Sequence, residues 1–303
     1  INVIIIDNLK TGYKRLINKN SVFIKSDINN KNLLIKTIKK YNIHTIIHLA
    51  AYLNVSEAEK NKKKYFKTNI LGTKSILDSC KNSNVKNFIF SSSCSVYGNI
   101  KGSVSEKNKL NPKGYYAYTK LKSEKLIINY SKKYKLNFGI LRYFNVAGAS
   151  TSGKIGEINP SHGHLIKNLA IQYLKKKPKI NIFGNNYNTK DGTCIRDYIH
   201  VMDLAQAHVT ALQRLLKSDG ESNYEVFNIG TGKGNTVLEV IKAFEQVSGK
   251  SLNYKFDERR AGDVVAAFAD TTKSKTVLGW LPQFSLEDAL ESAWKWEKEL
   301  SEK

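Results

Sequence analysis

The sequence predicts an α/β fold: a doubly wound parallel sheet with a smaller α/β lobe. Three observations carry that reading. In the first half, short apolar runs alternate with helical patterns across short links. Those runs are rich in Ile, Val and Phe at consecutive positions, so each strand is apolar on both faces, as in a parallel sheet covered by helices. In the second half the alternation loosens and glycines and asparagines accumulate, as expected of a separate lobe.

The elements follow in order. Residues 2–6 form the first apolar run and end on Asp7; residues 22–25 form the second. A helical pattern spans 30–41, then a strand spans 45–49. A long helical stretch covers 56–82, with strand 87–90 after it. Helix 116–134 leads into strand 138–142. Residues 148–197 hold a helix near 164–176. Residues 198–230 read as a helix (DLAQAHVTALQRLL) and then a strand (YEVFNIG); helices at 236–248 and 285–299 close the chain. No internal repeat or long linker interrupts this order. The division expected is residues 1–147 as the sheet domain, with 198–230 returning to it. Residues 148–197 and 231–303 form the smaller lobe, closing over the carboxyl edge of the sheet.

Composition excludes several classes. At 303 residues the chain can bury a large core. Nothing approaches about twenty continuous apolar residues, so no membrane span is expected. The opening INVIIIDNL has neither a basic start nor a cleavage site, which predicts a cytoplasmic protein. Three scattered cysteines, Cys80, Cys94 and Cys194, fit a reducing compartment and no disulfide framework. The net charge of +23 is uneven: residues 1–190 hold 35 Lys+Arg against 8 Asp+Glu, and residues 191–303 hold 14 against 18. The lysines are spread over many elements, with no arginine cluster between aromatics, so no nucleic-acid partner is expected.

The chemistry concentrates in Tyr116-Ala-Tyr-Thr-Lys120, which follows Ser91-Ser-Ser-Cys-Ser-Val-Tyr-Gly98. Tyr116 and Lys120 are four apart and share one helix face. An ammonium beside a phenol favours the phenolate, which tunes a tyrosine to act as a base. Ser93, just past an apolar strand, offers a hydroxyl to the same reacting oxygen. This set points to reversible alcohol oxidation with a nicotinamide cofactor. Tyr118 and Lys122 form a rival pair about 200° around the helix, and spacing does not choose between the two. Asp7 and Asn8, at the end of the first run, are placed for the adenosine ribose hydroxyls, which favours NAD over NADP. Asp27 and Ile28 would flank the adenine. Leu49, Ala50 and Ala51 end a strand with small residues where a cofactor backbone must approach.

Together with LRYFNVAGA at 141–149, these motifs resemble the extended short-chain dehydrogenase/reductase family and its Rossmann-like NAD-binding sheet. IFGNNYNTKDGTCIRDYIHVMDLA at 182–205 and RRAGDVVAAFAD at 259–270 are more specific and resemble its UDP-glucose 4-epimerase branch. The resemblance covers essentially the whole chain. It aligns Pro112-Lys113-Gly114-Tyr115-Tyr116-Ala117-Tyr118-Thr119-Lys120 with the family's Pro-x-Ser-Pro-Tyr-Gly-x-Ser-Lys, which gives Tyr116 and Lys120 the catalytic places. It implies NAD-dependent epimerisation at C4 of a UDP-hexose through a 4-keto sugar, by a homodimer pairing through the helices near 56–82 and 116–134.

The resemblance also implies a binding set. Asn69, Ser91 and Tyr143 match cofactor-side positions. Arg196 and Arg260 would pair with the diphosphate, with Asn145 in its region; Arg196 could instead pair with Asp197 or Asp203. Phe183, His164, Leu165 and Asn181 would surround the uracil, and Asp263 would accept from the uridine ribose. No metal is expected: His162-Gly-His164 has no carboxylate or cysteine spaced to complete a site.

Three departures stand out. The family opens with a strand and Gly-x-x-Gly-x-x-Gly, whereas this chain begins where its second strand begins; an N-terminally truncated NAD domain, weakened in isolation, is the expectation. Leu53 replaces a lysine found in some members. Ala267 sits where members carry residues from tyrosine downward, leaving room for an N-acetyl group. Ser93 is followed by Cys94-Ser95, unlike the acidic pair of 4,6-dehydratases. Two alternatives stay open: a UDP-pentose or UDP-glucuronate 4-epimerase, and a non-catalytic nucleotide-binding relative.

Overall fold

The computed structural model describes residues 2–158, 164–217, 224–260 and 263–302. The chain begins β1 (Ile4–Asp7), β2 (Val22–Lys25), α1 (Lys31–Lys40), β3 (Thr45–His48), α2 (Val55–Lys60) and α3 (Lys62–Tyr65). A π-helical turn (Phe66–Leu71), α4 (Gly72–Ser79), β4 (Asn87–Ser93) and a 3₁₀ turn (Cys94–Tyr97) come next. They lead to β5 (Lys101–Val104), α5 (Tyr115–Tyr134), β6 (Asn137–Tyr143) and β7 (Asn145–Ala147). Then come α6 (Leu165–Tyr173), β8 (Lys179–Phe183), β9 (Ile195–Arg196), β10 (Tyr198–His200) and α7 (Val201–Leu216). The last elements are β11 (Tyr224–Ile229), β12 (Asn235–Thr236), α8 (Val237–Ser248), β13 (Asn253–Asp257), β14 (Ala266–Ala269), α9 (Thr272–Thr276) and α10 (Leu286–Ser301).

The chain forms two compact units. One holds Ile1–Ser92, Gly114–Ile140 and Leu212–Glu225; the other holds Ser93–Lys113, Leu141–Ala211 and Val226–Lys303.

In the first unit β1 pairs in parallel with β2, Ile4 beside Val22 through Asp7 beside Lys25. β3 pairs in parallel with β4, Thr45 beside Asn87 through His48 beside Phe90. β3 is the outer strand of a larger sheet and β4 lies beside it, while β1 and β2 form a sheet of their own. Burial on both faces, expected of every strand, is met by β4 and β6. β1 is half-buried throughout, and Ile47 of β3 is exposed. Both are edge strands, and an edge strand lacks one of its two covering neighbours.

The helices show why each forms. Asn30 caps α1, accepting from Leu33 N–H, and Leu34, Thr37 and Ile38 form its buried stripe. The stretch expected as one helix over 56–82 is broken. Asn61 leaves helical geometry between α2 and α3, and the chain then takes π register over Phe66–Leu71. Gly72, the first residue of α4, lies against Ile28, whose Cδ1 would stand 2.4 Å from an added Cβ. α5 buries an unusually polar face: Tyr116, Thr119, Lys120, Ser123, Glu124 and Ser131.

In the second unit β14 pairs in parallel with both β5 and β9, β13 with β8, and β10 with β7. Its core joins α6, α8 and α10 through Leu169, Tyr173, Val240, Phe244 and Leu290, with Tyr173 stacked on Phe244. Capping boxes start α8 (Thr236, Glu239) and α10 (Ser285, Asp288).

Candidate active site

In the first unit the polar face of α5 lies against β4. Lys120 Nζ donates to the Ser91 carbonyl at 2.7 Å, 5.1 Å from the Phe90 ring centroid and 6.0 Å from that of Tyr116. Burial pulls the Lys120 ammonium down to about 8, while the charge of Glu124 pulls upward. Ser92 Oγ donates to Glu124 Oε1 at 2.5 Å. His48 shares a 2.9 Å hydrogen bond with Thr73 Oγ1, and burial, helped by the Lys120 charge, pushes it down to about 3. The two tyrosine–lysine pairs now separate: Tyr116 and Lys120 are 9% and 2% exposed, while Tyr118 is 39% exposed with Lys122 beside its ring.

Asn69 sits in the π turn, with its amide closed on protein. It accepts from Tyr52 N–H at 2.9 Å and donates to Tyr52 O and to Thr119 Oγ1. It therefore clamps the loop after β3 to α5, next to Lys120. Ala50 and Ala51 lie half-buried in that loop, while Leu49 and Leu53 are exposed.

The carboxyl ends of β1 and β2 gather a second group. Asp7 Oδ1 accepts from Leu9 N–H at 2.6 Å, and Leu9 takes a left-handed backbone at φ +56°. Asn8 Nδ2 donates to Asp27 at 3.0 Å, and Asn29 donates to it twice. Burial raises the Asp27 carboxyl, but the bonds from Asn29 and Asn8 outweigh it and hold the value low. Gly12 leaves this corner open, since a Cβ there would lie 3.2 Å from Asp7 Oδ1. Ile28 is buried, with its side chain against Gly72 of α4.

The second unit carries the other predicted residues. Ser93 is extended, and its Oγ accepts from Ser95 N–H to cap the 3₁₀ turn. Burial pushes the neighbouring Cys94 thiol up to about 12. Asp263 lies between two arginines. Arg196 Nη2 reaches it at 3.4 Å and Arg260 Nε at 2.9 Å, and the Arg260 guanidinium stands 5.0 Å from the Phe183 ring centroid. Ala267 is buried in β14, in register with Arg196. Four residues are thus brought together, with Ala267 on the adjoining strand.

The alternative partners of Arg196 are occupied elsewhere. Asp197 accepts from Thr231, Gly232 and Ala269, and Asp203 from the N–H groups of Gln283 and Phe284. Asn145 is exposed and bonds Asp197 O, while Tyr143 is half-buried near His208. Asn181 is exposed on β8 beside Lys255. His164 pairs with Glu157 at 3.8 Å, a carboxylate its spacing did not suggest, and Leu165 packs on the core. His162 lies outside the described residues. Among the described residues no three metal-ligating side chains come together. Glu124 is a buried polar residue that sequence reasoning missed. Its signal was the continuation of the Tyr116–Lys120 spacing by another four residues.

This donor set suits a dinucleotide. Acceptor carboxylates stand at strand ends with an open glycine corner, small residues follow β3, and a buried ammonium lies beside a phenol. Comparison with known proteins agrees. A UDP-glucose 4-epimerase of Lactobacillus helveticus is 38% identical over 299 residues, 98% of this chain and 90% of that protein. One from Halalkalibacterium halodurans is 40% identical, covering 98% and 88%. The crystal structure of UDP-glucose 4-epimerase from Stenotrophomonas maltophila, with bound NAD and formylated UDP-arabinopyranose, superposes with a TM-score of 0.94 at 34% identity. It covers 99% of this chain and 92% of that one. Residues 1–230 match a single family, and with its buried tyrosine–lysine pair this chain belongs to the NAD dependent epimerase/dehydratase family.

Proposed function

We propose that the chain is an NAD-dependent UDP-hexose 4-epimerase, interconverting UDP-glucose and UDP-galactose through a transient 4-keto sugar. The observation that carries this reading is the Tyr116–Lys120 pair, buried on one face of α5. Asp7, Asn8 and Asp27 would hold the adenosine end of NAD, and Ala50 and Ala51 would let its backbone approach. Bound NAD supplies a two-electron acceptor for the C4 hydrogen and returns it. The protein's own part is the proton. Tyr116 takes it from the sugar 4-hydroxyl and gives it back, the Lys120 charge stabilises the phenolate, and Ser93 hydrogen-bonds the same oxygen.

Inverting C4 requires the hexose to present either face while its nucleotide stays held. Arg196 and Arg260 would take the diphosphate, for which a planar donor fork is suited. Asp263, between them, would accept from the uridine ribose, and Phe183 would lie near the uracil. The buried, small Ala267 supports acceptance of UDP-N-acetylhexosamines as well. A second reading, a UDP-pentose substrate, is favoured by the formylated UDP-arabinopyranose bound in the S. maltophila structure.

A homodimer is part of the proposal. Exposed Val55, Phe66 and Leu71 on the 55–79 helical stretch and Tyr118 on α5 support pairing there. Three free thiols support a reducing, cytoplasmic setting; among the described residues no helix is long and apolar enough to cross a membrane.

Proton NMR of the protein with NAD and UDP-galactose tests the activity. Growth of the UDP-glucose anomeric signal is the expected result. No conversion of UDP-galactose, with a UDP-pentose converted instead, would move the assignment to the second reading.

A further inference from the structure

Glu124 is a buried carboxylate to which the proposed reaction gives no task. It stands four residues after Lys120 and eight after Tyr116, so all three share one face of α5. It is 1% exposed, and Lys120 is 2% exposed. Two consecutive residues of β4 engage this face, Ser91 through its carbonyl to Lys120 and Ser92 through its hydroxyl to Glu124. A carboxylate out of water is costly unless donors and a cation compensate it. Here the Ser92 hydroxyl and the Lys120 ammonium provide both.

The other groups facing Lys120 bring no charge. Phe90 and the Ser91 carbonyl on β4 are neutral, and His48 on β3 is held neutral down to about pH 3. Asn69 of the π turn meets α5 through neutral groups, its side-chain amide donating to Thr119 and its carbonyl accepting from Ser123. The Glu124 charge therefore opposes the burial that discharges Lys120.

We propose that Glu124 is a positioning residue for the reaction: its carboxylate keeps Lys120 charged inside the protein and so keeps Tyr116 able to act as a base at neutral pH. This rests on the proton-transfer role given to Tyr116 above.

Glu124→Gln keeps the size and the acceptor for Ser92 and removes the charge. Two readouts apply to the NAD-loaded protein. The first is a ¹³C NMR titration of the lysine ε-carbons, with Lys120 assigned by its loss in Lys120→Arg. The second is the pH profile of kcat for UDP-galactose. Lys120 should titrate about one pH unit lower in Glu124→Gln, and the alkaline limb of kcat should move with it. KM should change by less than about twofold, because the nucleotide contacts lie elsewhere.

Glu124→Asp withdraws the charge by one methylene and should move the titration by about half a unit; it decides the matter if the glutamine variant does not fold. An unmoved Lys120 titration, with kcat lowered in parallel at every pH, would mean a structural role and overturn the proposal. If the parent protein does not convert UDP-galactose, the epimerase reading fails, yet the lysine titration still judges Glu124.

Discussion

The α5 face and the Arg196–Asp263–Arg260 cluster use charge in opposite ways. On α5 the charged groups are nearly out of water and held by consecutive residues of one strand. In the cluster Asp263 is shared by two arginines, and the Arg260 side chain is 54% exposed. Coulomb energy grows as the local dielectric falls, so the first arrangement can set a proton affinity. The Arg260 end of the second is screened, which leaves that partner exchangeable. Under the proposed function, chemistry would sit where charges are desolvated, and recognition where they can be traded for a ligand.

Breaking the first region should have the largest effect. Tyr116→Phe removes the proton acceptor and little volume, so kcat for UDP-galactose should fall about 10³-fold with KM within a few-fold. Tyr118→Phe, on the exposed side of the same helix, should leave kcat within about twofold. Equal losses in both would erase the distinction between the buried and exposed pairs.

Next comes Ala267→Tyr, beside Arg196 in the second region. It should lower turnover of UDP-N-acetylglucosamine about 100-fold and that of UDP-glucose by less than about threefold, by filling the space an acetamido group needs. Equal loss of both would refute that use of the space.

The two regions should also differ in acid, at about 2 kcal/mol. The folded protein holds His48 near 3, against 6.5 ordinarily. Between those values the unfolded chain takes up the proton, so stability is full above pH 6.5 and drains as pH falls toward 3. At pH 5 this contribution is about 2 kcal/mol. Denaturant melts at pH 7.5 and 5.0 should show that loss in the parent and mostly lose it in His48→Gln. The same slope in both would clear His48.

Much of the architecture was legible because local pattern decides it. The strand at 22–25 matches its expected limits, and α5 begins one residue before 116 and ends at 134 as expected. The resemblance carried the choice of Tyr116 over Tyr118, and burial separates them physically. What stayed hidden depends on distant partners or on exposure. Glu124 stands four residues after Lys120, a spacing as common on solvated helix faces, and only its burial gives it a meaning. Asp197 gathers donors from Thr231, Gly232 and Ala269, 34 to 72 residues away, which no local spacing announces. Asn69 matches a cofactor-side position by resemblance, and its bonds to Tyr52 and Thr119, 17 and 50 residues away, are not visible in local spacing. The break at Asn61 escaped notice because helical periodicity continues on both sides of it.

The smallest expected effect sharpens the comparison inside the second region. Arg196 and Arg260 both touch Asp263, yet they are built differently. Arg196 is 15% exposed, and its Nη1 also donates to the carbonyls of Ile195 and Val264 at 2.8 Å, so its guanidinium is fixed before any ligand arrives. Arg260 is mostly in water, beside Asp263 and over the face of Phe183. A fixed donor fork loses little freedom on binding, whereas a mobile one must be ordered. Arg196→Ala should therefore raise the Kd for UDP about tenfold or more, and Arg260→Ala by only about threefold, with unchanged stability. Isothermal titration at low and high salt would measure both. If Arg260→Ala costs as much as Arg196→Ala, the exposed arginine is a principal diphosphate ligand, and the contrast between fixed and exchangeable charge does not extend to single residues.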